Sequence, residues 1–135
     1  TLQITDDFKT TVETDGDSDS DRAVVFSHGF GVRRDTRGLF TEIVHNLRQD
    51  FLCVTFDYTQ VLSNDDTKVL SIDTMILTLQ KVVAHIKQEY QYLDTITVIA
   101  HSMGSVIASL AKLDGIERFI LLAPPIDNIY PRFNC

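Results

Sequence analysis

The sequence lacks the features that would indicate a nucleic-acid-binding, membrane-spanning or metal-binding protein. Its formal net charge is −7, so it has no basic surface to hold phosphate backbones. No apolar run approaches the roughly 20 residues that cross a bilayer, and no signal peptide opens the sequence. The two cysteines, Cys53 and Cys135, do not have the spacing of metal ligands. These absences leave a globular enzyme or a binding module.

The length and composition fit one folded domain. The chain has 135 residues, of which 44% are hydrophobic, and it contains neither repeats nor low-complexity segments. We therefore expect residues 1–135 to form a single domain. Cys53 lies in a strand-like run, which predicts a buried free thiol. A free thiol favours a reducing compartment, and we expect a cytoplasmic protein.

Apolar segments of strand length alternate with amphipathic segments of helix length. Buried strands are predicted at residues 23–27, 51–57, 95–99 and 118–122, with helices at 37–49, 71–91 and 103–113. Ser71 is expected to cap the second helix. This alternation predicts an α/β fold with a mostly parallel sheet and helices on both faces. Residues 1–12 are expected to form two short strands, and residues 64–68 a surface loop.

An acidic segment precedes the first predicted buried strand. Aspartates alternate at positions 15, 17, 19 and 21, which suggests a calcium-binding loop. An EF-hand loop also needs Gly at its sixth position and Glu at its twelfth, where this chain has Ser20 and Phe26. A solvated hairpin turn over residues 13–22 is therefore the favoured interpretation, and no metal site is expected.

A serine between a predicted strand and a predicted helix is the most informative residue. Ser102 lies in the segment Ala-His-Ser-Met-Gly-Ser of residues 100–105, with small residues two positions before and after it. This pattern is typical of a nucleophile elbow, because larger side chains at those positions would collide with neighbouring backbone. The alternative is an ordinary turn in which Ser102 caps the helix, since serine is a preferred N-cap residue.

A second motif supports the elbow interpretation. The strand of residues 23–27 ends in His28-Gly29-Phe30-Gly31. A glycine-containing loop after a strand can direct backbone N–H groups at the oxyanion of an acyl-transfer reaction. The predicted donors are the N–H groups of Phe30 and Met103. The alternative is a plain glycine turn with His28 packed beneath it.

With both motifs in this order, the chain resembles the α/β-hydrolase family, in particular its small esterase, lipase and acyl-peptidase-like members. The resemblance runs from about Arg22 to Pro125 and includes Phe56-Asp57-Tyr58 on the next strand. It implies that Ser102 is the catalytic nucleophile, with no cofactor and no metal. One departure is that many relatives carry an Arg-Gly-x-Gly-like loop after that strand. This chain reads Thr-Gln-Val-Leu-Ser-Asn over residues 59–64, so the pocket wall is expected to differ.

The resemblance also implies a catalytic acid and a histidine base that follow the serine, and no histidine follows Ser102. Asp127 lies where some lipases of the family carry their acid, although an ordinary loop aspartate is the favoured interpretation. The four histidines are badly placed to act as the base: they lie in the oxyanion loop, just before the serine, or on predicted helices (His28, His101, His45 and His85). We therefore expect the base and the acid to come from outside this chain.

The predicted strand over residues 118–122 raises the same question of completeness. By the family's strand order it would be the outermost strand of a truncated sheet that lacks the last two strands, yet it is apolar on both faces, and such an edge is a template for pairing. We expect a second polypeptide, or a second copy of the chain, to pair there. Three explanations remain open: a cleaved or truncated product, a second polypeptide that completes it, and a dimer. The first two together are favoured, and poor solubility is expected.

The predicted function is hydrolysis of a carboxylic ester, thioester or amide through an acyl-enzyme on Ser102. The alternative is a non-catalytic α/β-hydrolase-like module that binds a small apolar ligand or a partner. Retention of the elbow and the oxyanion loop counts against that alternative, because a binding module has no need of a strained serine turn. Acyl transfer to an acceptor other than water is indistinguishable from hydrolysis at this level.

Overall fold

A computed structural model of the chain describes residues 1–29, 36, 38–61 and 67–123, and for residues 60, 61 and 67–69 only the backbone. The helices are α1 (Leu39–Leu47), α2 (Ile72–Glu89) and α3 (Met103–Leu110). The strands, in chain order from β1 to β9, are Leu2–Gln3, Lys9–Thr10, Glu13–Gly16, Arg22–Ser27, Leu52–Thr55, Thr59–Val61, Thr67–Val69, Thr95–His101 and Arg118–Leu122.

Five of these strands form one sheet in the order β3-β5-β4-β8-β9. Strands β5, β4, β8 and β9 are mutually parallel, and β3 pairs with β5 in the antiparallel direction. The β4–β8 register pairs Ser27 with Ala100, and the β8–β9 register pairs His101 with Leu122. The carboxyl ends of the parallel strands therefore meet at one edge of the sheet, where ligands of open α/β sheets bind.

Helices cover both faces of this sheet. Alternate residues of β8 point to opposite faces: Ile96, Val98 and Ala100 join the core beneath α2 and α3, whereas Ile99 joins the core beneath α1. Ser71 caps α2, because its Oγ accepts the N–H of Thr74 at 3.2 Å. The described helices do not include one with the length and apolar character needed to cross a membrane.

A hairpin of β1 and β2 lies at the start of the chain and braces the loop after β5. Thr10 is buried, and its Oγ1 donates to the Asp57 carbonyl at 2.8 Å and accepts the Asp57 N–H at 3.1 Å. Lys81 of α2 donates through Nζ to the Ile4 carbonyl at 2.7 Å. The hairpin thus fixes the backbone that follows β5.

The predicted α/β architecture with a mostly parallel sheet is confirmed, as are the two short strands within residues 1–12. Two predictions are wrong in part. Residues 13–16 form strand β3 rather than a turn; all four are exposed, so the strand carries no apolar alternation to reveal it. Residues 67–68, expected in a loop, belong to β7, which pairs with β6; residues 62–66 lie outside the described residues.

Candidate active site

Ser102 occupies a strained turn between β8 and α3. Its backbone has φ 54° and ψ −123°, a sparsely populated region for any residue with a side chain. Such a conformation costs about 1–3 kcal/mol and persists where the surroundings impose it. The Ser102 N–H donates to the Leu122 carbonyl at 2.9 Å, and the Ser102 carbonyl accepts the Ser105 N–H at 2.9 Å. The turn is therefore held from both sides.

The side chain of Ser102 does not cap α3. Its hydroxyl makes no capping hydrogen bond, and Ser102 is only partly buried. The alternative that explained this serine as an ordinary helix N-cap is therefore wrong. The backbone conformation is the one that a nucleophile elbow requires.

Close backbone approach explains the glycines around Ser102. A Cβ on Gly104 would lie 2.2 Å from the Ser27 carbonyl oxygen and 2.6 Å from that of His28, so no side chain fits there. A Cβ on Gly29 would lie 3.2 Å from the Ser102 Cβ and 3.5 Å from the Met103 nitrogen. The loop after β4 thus runs directly beside the serine and the first amide of α3.

The structure describes one of the two predicted oxyanion donors. Met103 is the first residue of α3, and its N–H lies in the first turn, where helix N–H groups have no partner within the helix. Phe30, the other predicted donor, lies outside the described residues, as does Asp127. Gly29, the last described residue before Phe30, lies against the elbow, where an added Cβ would be 3.3 Å from the His101 carbonyl oxygen.

His28 is a structural residue beneath the loop, with only 1% of its surface exposed. Its Nε2 accepts the Tyr58 N–H at 2.8 Å, so the ring proton resides on Nδ1, which donates to the Gly29 carbonyl at 2.8 Å. The Asp57 Oδ1 lies 3.9 Å from the same Nε2. Because that nitrogen already accepts the Tyr58 N–H, we interpret the contact as proximity rather than an ion pair.

A buried pair of hydroxyls lies below the elbow, and the sequence analysis did not identify it. The Tyr58 hydroxyl is 2.7 Å from Ser27 Oγ, and Ser27 Oγ donates to the Gly104 carbonyl at 3.0 Å. Burial raises the pKa of Tyr58 above its ordinary value, and the hydrogen bond with Ser27 lowers it to a smaller extent. The signal in the sequence was a polar residue at the end of each of two neighbouring apolar strands: Ser27 ends β4, and Tyr58 follows β5.

The remaining histidines lie away from the Ser102 hydroxyl. The His101 ring packs edge-on against Phe40 of α1 with centroids 6.5 Å apart, on the face that α1 covers. His45 and His85 lie on α1 and α2, as predicted. In the part of the chain that the structure describes, no histidine is hydrogen-bonded to Ser102 Oγ, and no group of His, Cys, Asp and Glu side chains could hold a metal ion.

Cys53 is a buried free cysteine on β5, on the α1 side of the sheet. Burial, with a smaller contribution from Asp15, raises the pKa of its thiol to about 11. It lines a cavity of about 330 Å³ between α1 and β3, and a second cavity, of about 310 Å³, lies beside β8 and β9. Neither cavity is lined by Ser102, so neither is a candidate for the substrate pocket.

Known structures with this architecture include several esterases. An esterase of Pyrococcus furiosus superposes with a TM-score of 0.70 at 23% identity, over 94% of this chain and 57% of its own. A thermophilic esterase from Thermogutta terrifontis gives 0.60 at 19% identity, over 83% of this chain and 39% of its own. An α/β hydrolase from Sphaerobacter thermophilus gives 0.61 at 21%, over 86% and 41%. The chain thus spans between two-fifths and three-fifths of these proteins' lengths.

These structural likenesses establish the fold. The comparison with curated protein sequences gave no match. A family model described as serine aminopeptidase, S33, matches residues 18–133, which include both glycine-containing loops, the strained serine and all four parallel strands. The chain therefore belongs to the serine aminopeptidase S33 family of α/β hydrolases.

Proposed function

We propose that this chain is the nucleophile-bearing part of a serine hydrolase that cleaves carboxylic esters, thioesters or amides. The backbone of Ser102 is the observation that carries the proposal. A conformation that costs about 1–3 kcal/mol is retained at a residue whose side chain neither caps the helix nor packs in the core. A role as a partly exposed nucleophile at a helix N-terminus accounts for this cost.

The proposed reaction begins with attack of Ser102 Oγ on the substrate carbonyl carbon. The carbonyl oxygen becomes an oxyanion, which accepts hydrogen bonds from the N–H groups of Met103 and Phe30. Each such donor contributes about 10²- to 10³-fold to the rate. The leaving group departs with a proton, and water then releases the acid from the acyl-enzyme. The N-terminus of α3 adds a favourable field at the oxyanion.

The base that activates Ser102 is proposed to come from a segment that pairs with β9. Among the strands that the structure describes, β9 has a neighbour on one side only, and Phe119, Ile120 and Leu121 are 42%, 38% and 44% exposed. Phe119 and Leu121 face the α3 side and Ile120 the α1 side, so a single covering helix would leave one face open. A strand added in parallel would end at the same sheet edge as Ser102.

A second candidate function is a binding module without catalysis. The observation in its favour is that, within the described residues, no histidine is hydrogen-bonded to Ser102 Oγ. The strained turn opposes it, because a serine that only binds needs no such conformation. Acyl transfer to an acceptor other than water is a variant of the first proposal and uses the same residues.

The deciding experiment is turnover of p-nitrophenyl acetate by the purified chain, with Ser102→Ala as the background. Ser109→Ala is the matched control, because Ser109 lies on α3 with an exposed side chain. Turnover that disappears in Ser102→Ala and persists in Ser109→Ala supports a working base. An intact mass spectrum of the same sample reveals any second polypeptide.

Covalent labelling by a fluorophosphonate separates the two functions when turnover is absent. A hydrolase component is expected to gain the mass of one phosphonyl group at Ser102, in wild type and in Ser109→Ala alike. A chain that stays unlabelled in both proteins, in a sample that contains the segment supplying the base, contradicts the hydrolase proposal and favours the binding module.

A further inference from the structure

A chain of buried polar groups connects three segments of the proposed site. Tyr58 is 2% exposed and Ser27 is fully buried. Ser27 has one hydroxyl proton, which it donates to the Gly104 carbonyl at 3.0 Å. The 2.7 Å contact between Ser27 and Tyr58 must then be donated by the phenol. The direction of the hydrogen bonds is therefore fixed: Tyr58 to Ser27 to Gly104.

Tyr58 holds the loop after β4 as well. Its backbone N–H donates to His28 Nε2, and His28 Nδ1 donates to the Gly29 carbonyl. Its ring is packed by His28 and Phe56, whose ring centroids each lie 5.0 Å from its own. Tyr58, which follows β5, thus fixes both the last described residue of the predicted oxyanion loop and the first turn of α3.

The elbow has little freedom to move around this link. Towards β4, the space at Gly104 is closed by the Ser27 and His28 carbonyl oxygens, which would lie 2.2 and 2.6 Å from a Cβ. The Ser27 hydroxyl donates a hydrogen bond to the Gly104 carbonyl from the same side. Contact and hydrogen bond together define where Gly104 lies, and Gly104 directly follows Met103 in the first turn of α3.

We infer that Tyr58 is a positioning residue that aligns the Met103 oxyanion donor through Ser27 and holds the Gly29 backbone through His28. This inference rests on the proposed function, and it goes beyond it by assigning a role to a residue that does not touch substrate. An interaction of this kind acts on the transition state, where the oxyanion forms, more than on substrate binding. Loss of the Tyr58 hydroxyl should therefore slow acylation and leave reversible binding unchanged.

The test compares Tyr58→Phe, Ser27→Ala and the double variant in fluorophosphonate labelling of Ser102. Each single variant is expected to lower the labelling rate constant about five- to tenfold, the worth of about one hydrogen bond. The concentration of reagent at half-maximal rate is expected to stay within about twofold of wild type. Because the two residues act through one link, the double variant should be no slower than the slower single variant.

Tyr92→Phe is the matched control, since Tyr92 is 78% exposed and follows α2 rather than β5. A Tyr58→Phe rate equal to that of wild type overturns the inference. Rates that multiply in the double variant overturn it as well, because they mean that the two hydroxyls act separately.

A second measurement tests the inference even if wild type is not labelled. Absence of labelling would count against the proposed function and not against the positioning role of Tyr58. The amide resonances of Met103 and Gly104 are recorded by NMR in each variant. Tyr58→Phe and Ser27→Ala are expected to shift both resonances, and Tyr92→Phe to leave them in place. Unshifted resonances in Tyr58→Phe refute the positioning role whatever the labelling result. If one single variant does not fold, the other breaks the same link from its opposite end.

Discussion

Replacement of Gly104 by alanine tests the geometry of the elbow most directly. The new Cβ would lie 2.2 Å from the Ser27 carbonyl oxygen and 2.6 Å from that of His28. Both atoms belong to backbone at the end of β4, and each would have to move by several tenths of an ångström or more. Such overpacking costs about 3 kcal/mol, the upper end of the usual range, because a paired strand yields less than a side chain does.

The matched control is Gly38→Ala. Gly38 has φ +91°, and a Cβ there would meet no atom of the described residues within 4 Å. This change therefore carries the conformational cost alone, about 1–2 kcal/mol. Urea denaturation of both variants gives the two costs, and fluorophosphonate labelling reports the site. The close approach of β4 and α3 would be refuted if Gly104→Ala lost less free energy of unfolding than Gly38→Ala and were labelled at the wild-type rate.

Three other predictions concern parts of the structure away from the nucleophile. Thr10→Val should lower the free energy of unfolding by about 1–3 kcal/mol, because it removes two hydrogen bonds between the Thr10 hydroxyl and the buried Asp57 backbone; a urea denaturation curve that matches wild type would contradict the bracing role. Cys53 should resist alkylation by iodoacetamide at pH 8 in the folded protein, since its pKa is about 11. The folded thiol holds its proton more tightly than the unfolded one, whose pKa is near 9.0, so its contribution to stability is complete below pH 9 and is lost as the pH rises towards 11. A difference in stability between wild type and Cys53→Ala that stays constant from pH 8 to 11 would show otherwise. Ile120→Lys should reduce self-association in light scattering without a loss of stability, because the side chain is 38% exposed; equal scattering by both proteins would show that the β9 edge is not responsible.

The sequence was most informative for the elements in which burial imposes a regular spacing of apolar residues. The parallel strands β4, β5, β8 and β9 are apolar runs, and α2 shows an apolar stripe and a serine cap, so the pattern predicted each of them. The elbow was predictable because its tight turn requires small residues at particular positions, above all at Gly104. Strand β3 was not, since both its faces are exposed and its pairing depends on β5 rather than on its own residues.

The contacts beneath the elbow escaped prediction for a different reason. Ser27 and Tyr58 are 31 positions apart in the chain, and their hydroxyls meet only because β4 and β5 pair in one particular register. Nothing local in either segment encodes that register. The resemblance drew attention to His28 as part of a loop, yet its role as an acceptor for the Tyr58 N–H follows from the three-dimensional arrangement alone.

The two edges of the described sheet differ in chemistry, and this difference favours the pairing of further strands at one edge over the other. At one edge, β3 presents exposed Glu13 and Asp15, whose negative charges repel a like strand. At the other, β9 presents apolar side chains on both faces. A head-to-tail array would bring the acidic edge of one molecule against the apolar edge of the next, which is unfavourable. We therefore propose that added strands pair at β9 only, so that assembly through backbone pairing would end after one partner rather than continue into a fibre.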